Sequence, residues 1–132
     1  MKRVLGGAVI LVALSASPRP ASAHHSTTAQ FDVTHRMTLT GTLTKVDWVN
    51  PHIQVVMTAK EGSNPEWRFE SNPPAWFRRV GVSRADFSKA IGQTVTVEGN
   101  RAKDGSQYGY LVKITYADGS SLELVPPGAA AP

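Results

Sequence analysis

Apolar and polar residues alternate strictly over much of this chain, and where the alternation changes, the elements change. Met37, Leu39, Gly41 and Leu43 alternate with Thr38, Thr40, Thr42 and Thr44. The phase then slips near Lys45, so that Val46 and Trp48 carry the apolar side onward. Period two with one slip predicts a long strand interrupted by a bulge or bend. Asn50-Pro51 is a turn signal, and residues 52–57 (HIQVVM) follow as a second strand. After a polar loop over residues 61–65, residues 67–70 (WRFE) make a short third strand. Residues 24–36 are polar apart from a few small apolar positions and Phe31, and read as an extended arm or first edge strand.

The middle of the chain loses this period. Asn72-Pro73-Pro74 opens a helix, because proline is tolerated in the first turn; residues 75–80 fill it and Gly81 stops it. Ser83-Arg84-Ala85-Asp86 resembles a capping box with Asp in place of Glu, starting a second short helix that reaches Ile91 and Gly92. Strands resume at residues 94–99 and 110–116, separated by the turn Lys103-Asp104-Gly105-Ser106, and a last strand at 121–125 follows the turn Asp118-Gly119. Three strands, helices, then two or three strands is the order of an OB-type, partly open barrel of five to six strands with a short helical insertion. A small β-barrel or sandwich of another kind with a helical insertion is the alternative. Residues 126–132, rich in Pro, Gly and Ala, are expected to form a flexible tail.

The N-terminus has a different logic. Lys2 and Arg3 precede a 13-residue apolar run at residues 4–16, shorter than the ~20 residues a bilayer span needs. Pro18 and Pro20 then hold the chain extended before Ala21-Ser22-Ala23, which offers small residues where a signal peptidase inspects them. Residues 1–23 are therefore expected to be a cleaved signal peptide, with a barrel domain over residues 24–125, no remaining membrane span, and a periplasmic or secreted location.

That cut changes the meaning of the charge. The whole chain of 132 residues has 14 Lys and Arg against 10 Asp and Glu, a formal net charge of +4. Lys2, Arg3 and Arg19 leave with the signal, so the remaining 109 residues carry a net +1. A nucleic-acid partner loses its main support. The absence of cysteine excludes disulfides, thiolate metal sites and a cysteine nucleophile.

Cleavage after Ala23 would expose His24, whose free α-amine and imidazole together chelate a metal. A second imidazole would complete a three-nitrogen set that favours Cu(II) by geometry and by the divalent affinity order. His52, just after the Asn50-Pro51 turn, is the best donor of that ring; His25 is next, and His35 in the polar arm is weaker. Met37 and Met57 could add thioethers. The competing reading makes the histidines incidental. Trp48, Trp67, Trp76, Tyr108 and Tyr110 fall on or near strands and the helical insertion; an OB-type strand face binds ligands by stacking, whereas a small domain also uses such rings for packing. Glu70 beside Asn72 suggests a polar pocket, so Trp48, Trp67 and Glu70 are the candidate ligand-binding residues. Arg78-Arg79, with Arg84 nearby, could meet an anion or simply answer the helix dipole. No close carboxylate pair, nucleophile elbow, P-loop or zinc-protease motif is present, so the sequence favours a non-enzymatic binding module. A copper-dependent oxidative enzyme using the same nitrogens is the weaker alternative. The partner of a binding module would be a periplasmic protein or a small ligand.

Ala23-His24-His25-Ser26, Phe31-Asp32, the stretch from Leu39 through Val49-Asn50-Pro51-His52, Phe69-Glu70, Arg78-Arg79-x-Gly81 and Val95-x-Val97-x-Gly99 with Ala102-Lys103-Asp104-Gly105 resemble a family of small exported bacterial proteins classed as a domain of unknown function. The resemblance covers essentially the whole chain after residue 23. It implies a periplasmic OB-like barrel and no particular activity.

Overall fold

A computed structural model of the protein describes residues 27–63 and 65–124. The expected signal peptide, His24, His25 and the tail lie outside the described residues. The element order is α1 (Thr27–Gln30), β1 (Phe31–Asp47), β2 (Gln54–Ala59), β3 (Glu66–Glu70), α2 (Pro74–Arg79), α3 (Arg84–Ser88), β4 (Thr94–Ala102), β5 (Tyr108–Thr115) and β6 (Ser121–Glu123). The strand order is β3-β2-β1-β4-β5-β6, and an additional parallel pairing of β3 with β5 closes five strands into a barrel. β6 extends the sheet from β5, and α2 and α3 sit between β3 and β4 in the chain. The barrel and its helical insertion are those expected from the pattern.

β1 is long because it serves two neighbours. Its first part pairs with β4, from Arg36↔Asn100 to Thr42↔Thr94, and its second part with β2, from Gly41↔Ala59 to Asp47↔Gln54. The phase slip read near Lys45 is a bulge at Thr44: Leu43 faces Met57 while Lys45 faces Val56. The extra residue lets Leu43 and Val46, three apart, both enter the core. Thr44 Oγ1 donates to the Val56 carbonyl at 3.1 Å. A similar shift in β5, where Glu98 faces Lys113 and Gly99 faces Leu111, brings both Leu111 and Ile114 inward. The interior is filled by Leu43, Val55, Met57, Phe69, Val95 and Val97 with these residues.

The arm departs from expectation in one respect: Thr27–Gln30 is a helical turn, and the strand begins at Phe31, well before Met37. Phe31 is fully buried and packs on Tyr108 and Tyr110 at ring-centroid distances of 5.6 and 5.7 Å. It covers the outer face of β5, which is why Tyr110 and Val112 on that face are as buried as Leu111 on the inner one. The arm is held further by the Lys103 amide and ammonium, which donate to the Gln30 and Thr28 carbonyls.

The helices cap the barrel. Pro73 and Pro74 start α2, which ends at Val80 before Gly81 at φ 76°. In α3 the Asp86 carboxylate accepts from the Ser83 amide and hydroxyl, both at 2.7 Å, within the Ser83–Asp86 capping box the sequence suggested. Phe77 and Phe87 point inward and meet edge to face at 5.5 Å.

Candidate functional site

Glu70, His52 and Tyr108 meet where β3 closes against β5. β3 ends at Glu70, and the chain continues the ladder with β2 for another step: the Ile53 amide donates to the Asn72 carbonyl and the Ser71 amide to the Ile53 carbonyl. Ile53 is fully buried, so the backbone on one side of His52 is pinned; on the other lies the Asn50-Pro51 turn, with a cis peptide bond. His52 therefore precedes β2 rather than beginning it.

The parallel β3–β5 register sets Arg68 opposite Tyr108 and Glu70 opposite Tyr110. The Tyr108 hydroxyl donates to Glu70 Oε2 at 2.6 Å, and one step further the Tyr110 hydroxyl donates to Asn72 Oδ1 at 2.9 Å. Asn72 Nδ2 in turn donates to the Leu124 carbonyl at 3.0 Å. Two tyrosines spaced by two on β5 thus serve two acceptors spaced by two at the end of β3, the strand period acting on both sides of the seam. Burial, then the hydrogen bond to Glu70 and its negative charge, pushes the Tyr108 hydroxyl well above its ordinary range. It remains a protonated donor across the physiological range.

Glu70 Oε2 also lies 3.7 Å from His52 Nδ1. That separation is an ion-pair distance rather than a hydrogen bond. The His52 side chain is 36% exposed and that of Glu70 14%. The carboxylate is held from one side by Tyr108 and turned towards the imidazole on the other. A carboxylate on one ring nitrogen of a histidine is the usual way to orient the other nitrogen towards a ligand.

The remaining candidates are elsewhere. Trp67 and Phe69 share the inward side of β3, with rings 6.0 Å apart, while Glu70 has the opposite parity. Trp67 is 8% exposed and its ring is covered by the Arg101 guanidinium at 5.4 Å. Trp48 is half-buried against Phe77 and Phe87 at 5.3 and 5.8 Å. Both rings are thus packing groups, and neither forms a site with Glu70. Met57 is fully buried in the core, and Met37 packs against it. His35 is strongly exposed within a local cluster with Asp32 and Thr34. Among the described residues, no group of three His, Cys, Asp or Glu side chains is placed to hold a metal, and no helix is long and apolar enough to cross a membrane.

The model of a family of unknown function, DUF6152, matches residues 11–111. The chain belongs to this family. The match spans the barrel from its first strand into β5, so it includes His52, Glu70, Asn72, Tyr108 and Tyr110. No curated protein and no solved structure gave a match.

Tyr108, Tyr110 and Asn72 were not legible as partners from the sequence. The signal was there in part: Glu70-x-Asn72 and Tyr108-x-Tyr110 share the same spacing. Their meeting depends on a parallel pairing between strands 38 residues apart, which no local pattern specifies.

Proposed function

We propose that this member of DUF6152 is a non-enzymatic binding module of the periplasm that holds one Cu(II) ion. The α-amine and imidazole of His24, freed by cleavage after Ala23, supply two nitrogens, and His52 Nε2 supplies the third, with His25 assisting. The observation that carries the reading is the carboxylate of Glu70 beside His52 Nδ1, itself held by Tyr108. In the tautomer with its proton on Nδ1, on the side of Glu70, Nε2 is the free donor a metal requires.

The path of the chain supports the same pairing. Phe31 rests on Tyr108, Tyr108 bonds Glu70, and Glu70 faces His52. The arm therefore enters the domain on the seam that carries His52. Two residues, His25 and Ser26, lie between His24 and Thr27, three backbone steps with a reach of about 10 Å. The net charge of +1 after cleavage and the lack of a catalytic motif favour metal holding or delivery over catalysis.

The test is copper binding by protein whose first residue is His24. It should bind about one Cu(II), with a spin-resonance spectrum of nitrogen ligands. One extra residue before His24, or His52→Ala, should remove most of the affinity. Unchanged affinity in both proteins would overturn the site. Fractionation of cells producing the full chain tests export separately.

A further inference from the structure

The helical cap carries an excess of cations, where the rest of the domain carries an excess of carboxylates. Between β3 and β4, residues 71–93 carry Arg78, Arg79, Arg84 and Lys89 against the single carboxylate of Asp86. The other described residues hold seven cations and nine carboxylates. A nearly neutral domain is therefore polarised, with the excess positive charge on one short insertion. Arg78, Arg79 and Arg84 are exposed and make no ion pair or hydrogen bond through their guanidinium groups among the described residues. Lys89 lies over the Tyr116 ring at 4.6 Å.

Exposed apolar side chains lie on this insertion and on the loop that packs beside it. Phe77 takes the inward side of α2 with Trp76 partly buried beside it against the core, which leaves Ala75, Arg78 and Arg79 exposed. Val80 at the end of the helix is 53% exposed, and its amide bonds the Trp76 carbonyl, one turn back on the same face. Trp76 is half-buried, set edge-on against Phe77. Val49 is 52% exposed and directly follows Trp48, whose ring rests on Phe77. At Gly81 a Cβ would meet nothing within 4 Å, so the turn that follows Val80 is open to solvent.

We propose that this corner, Trp76, Arg78, Arg79 and Val80 with Arg84, docks on the surface of an anionic phospholipid bilayer. Arginines with a tryptophan edge and projecting aliphatic residues match the interfacial layer. The guanidinium groups meet phosphates, the indole sits at headgroup depth, and the valines enter the acyl boundary. An acidic peptide would satisfy the arginines but would give the projecting Val80 and Val49 no reason to remain exposed. The proposal is independent of the histidine site.

The experiment uses the full chain with vesicles of phosphatidylcholine alone or with a third phosphatidylglycerol, some bearing brominated acyl chains. All proteins carry the same N-terminal segment, so differences among variants report the corner. The anionic vesicles should bind the protein more tightly than the neutral ones, and bromolipid should quench tryptophan emission. Arg78→Gln with Arg79→Gln should weaken the anionic binding about thirtyfold. Trp76→Phe should reduce the quenching, because Trp67 is enclosed and Trp76 is the tryptophan carried by α2 itself. Far-ultraviolet circular dichroism checks that each variant is folded. Equal binding to both vesicle types, an unchanged double variant, or quenching undiminished by Trp76→Phe would each overturn the proposal. So would selective capture of a polyglutamate peptide with no vesicle binding.

Discussion

The Tyr108 hydroxyl donates a 2.6 Å hydrogen bond to Glu70 Oε2 across the parallel seam that closes the barrel. A charged acceptor makes such a bond stronger than a neutral one, and Glu70 is largely enclosed. Tyr108→Phe should lower the unfolding free energy by about 1.5 kcal/mol, near the lower end for bonds to charged groups because Glu70 keeps some access to water. Urea denaturation of the two proteins measures it.

Two buried tyrosines, Tyr110 at this seam and Tyr116 against α3, make stability sensitive to alkali. Burial, and then the charge of Glu70, pushes the Tyr110 hydroxyl up to about 12 from its ordinary 10.0; burial, and then Asp86 and Asp118, pushes Tyr116 to about 12. A hydroxyl whose folded value is raised holds its proton longer in the folded chain. Its stabilising share is therefore complete below pH 10 and is lost as the pH rises through 12. Denaturation midpoints should hold steady up to about pH 9.5 and fall steeply from pH 10 to 12. The tyrosinate absorbance of folded protein should lag that of denatured protein over the same interval.

At the other end of the scale, Asp86 is held below the ordinary carboxylate range, chiefly by the Ser83 hydroxyl and then by the Ser83 amide. Its share of stability is present above pH 3.8 and is lost as the pH falls below it. Asp86→Ala should cost about 0.5–1 kcal/mol at pH 7, discounted for its exposure to solvent, and the gap between the proteins should shrink by pH 3.

If the copper reading holds, Glu70 acts on the metal only through His52. Glu70→Gln keeps an acceptor for Tyr108 but removes the charge beside Nδ1. Copper affinity should fall about tenfold, with a smaller loss of stability than Tyr108→Phe causes. A matched loss of stability would instead make Glu70 a purely structural partner of Tyr108.

Much of the barrel could be read from the chain because its signals are local. The alternation from Met37, the slip at Lys45, the proline-led helix and the Ser83–Asp86 box each name an element within a few residues of itself. The helical turn at Thr27–Gln30 escaped because Thr27-Thr28-Ala29-Gln30 carries no period, and its place depends on Phe31 finding Tyr108 and Tyr110 far along the chain. For the site, His52 and Glu70 were both marked, but by unrelated arguments. Their proximity follows from the β2–β3 ladder, while Trp67 is separated from Glu70 by strand parity alone.

Gly41 is the point where β1 passes from one neighbour to the other, pairing with Val95 of β4 and Ala59 of β2 at once. A Cβ there would collide with the Thr58 carbonyl oxygen and come within 2.7 Å of Met57 Cε and 2.8 Å of Ala59 Cα. Met57 could shift, since a thioether end is flexible, but the backbone of β2 is tied to β1 on one side and β3 on the other. Gly41→Ala should therefore destabilise by about 3 kcal/mol, the upper range for overpacking, although alanine suits a strand no worse than glycine. Alanine at Gly105, where a Cβ meets nothing within 4 Å, is the control: it bears only the cost of a positive φ of 80°, about 1 kcal/mol. Calorimetry should rank the two in that order, and the reverse order would mean that β1 and β2 separate at Gly41 without loss.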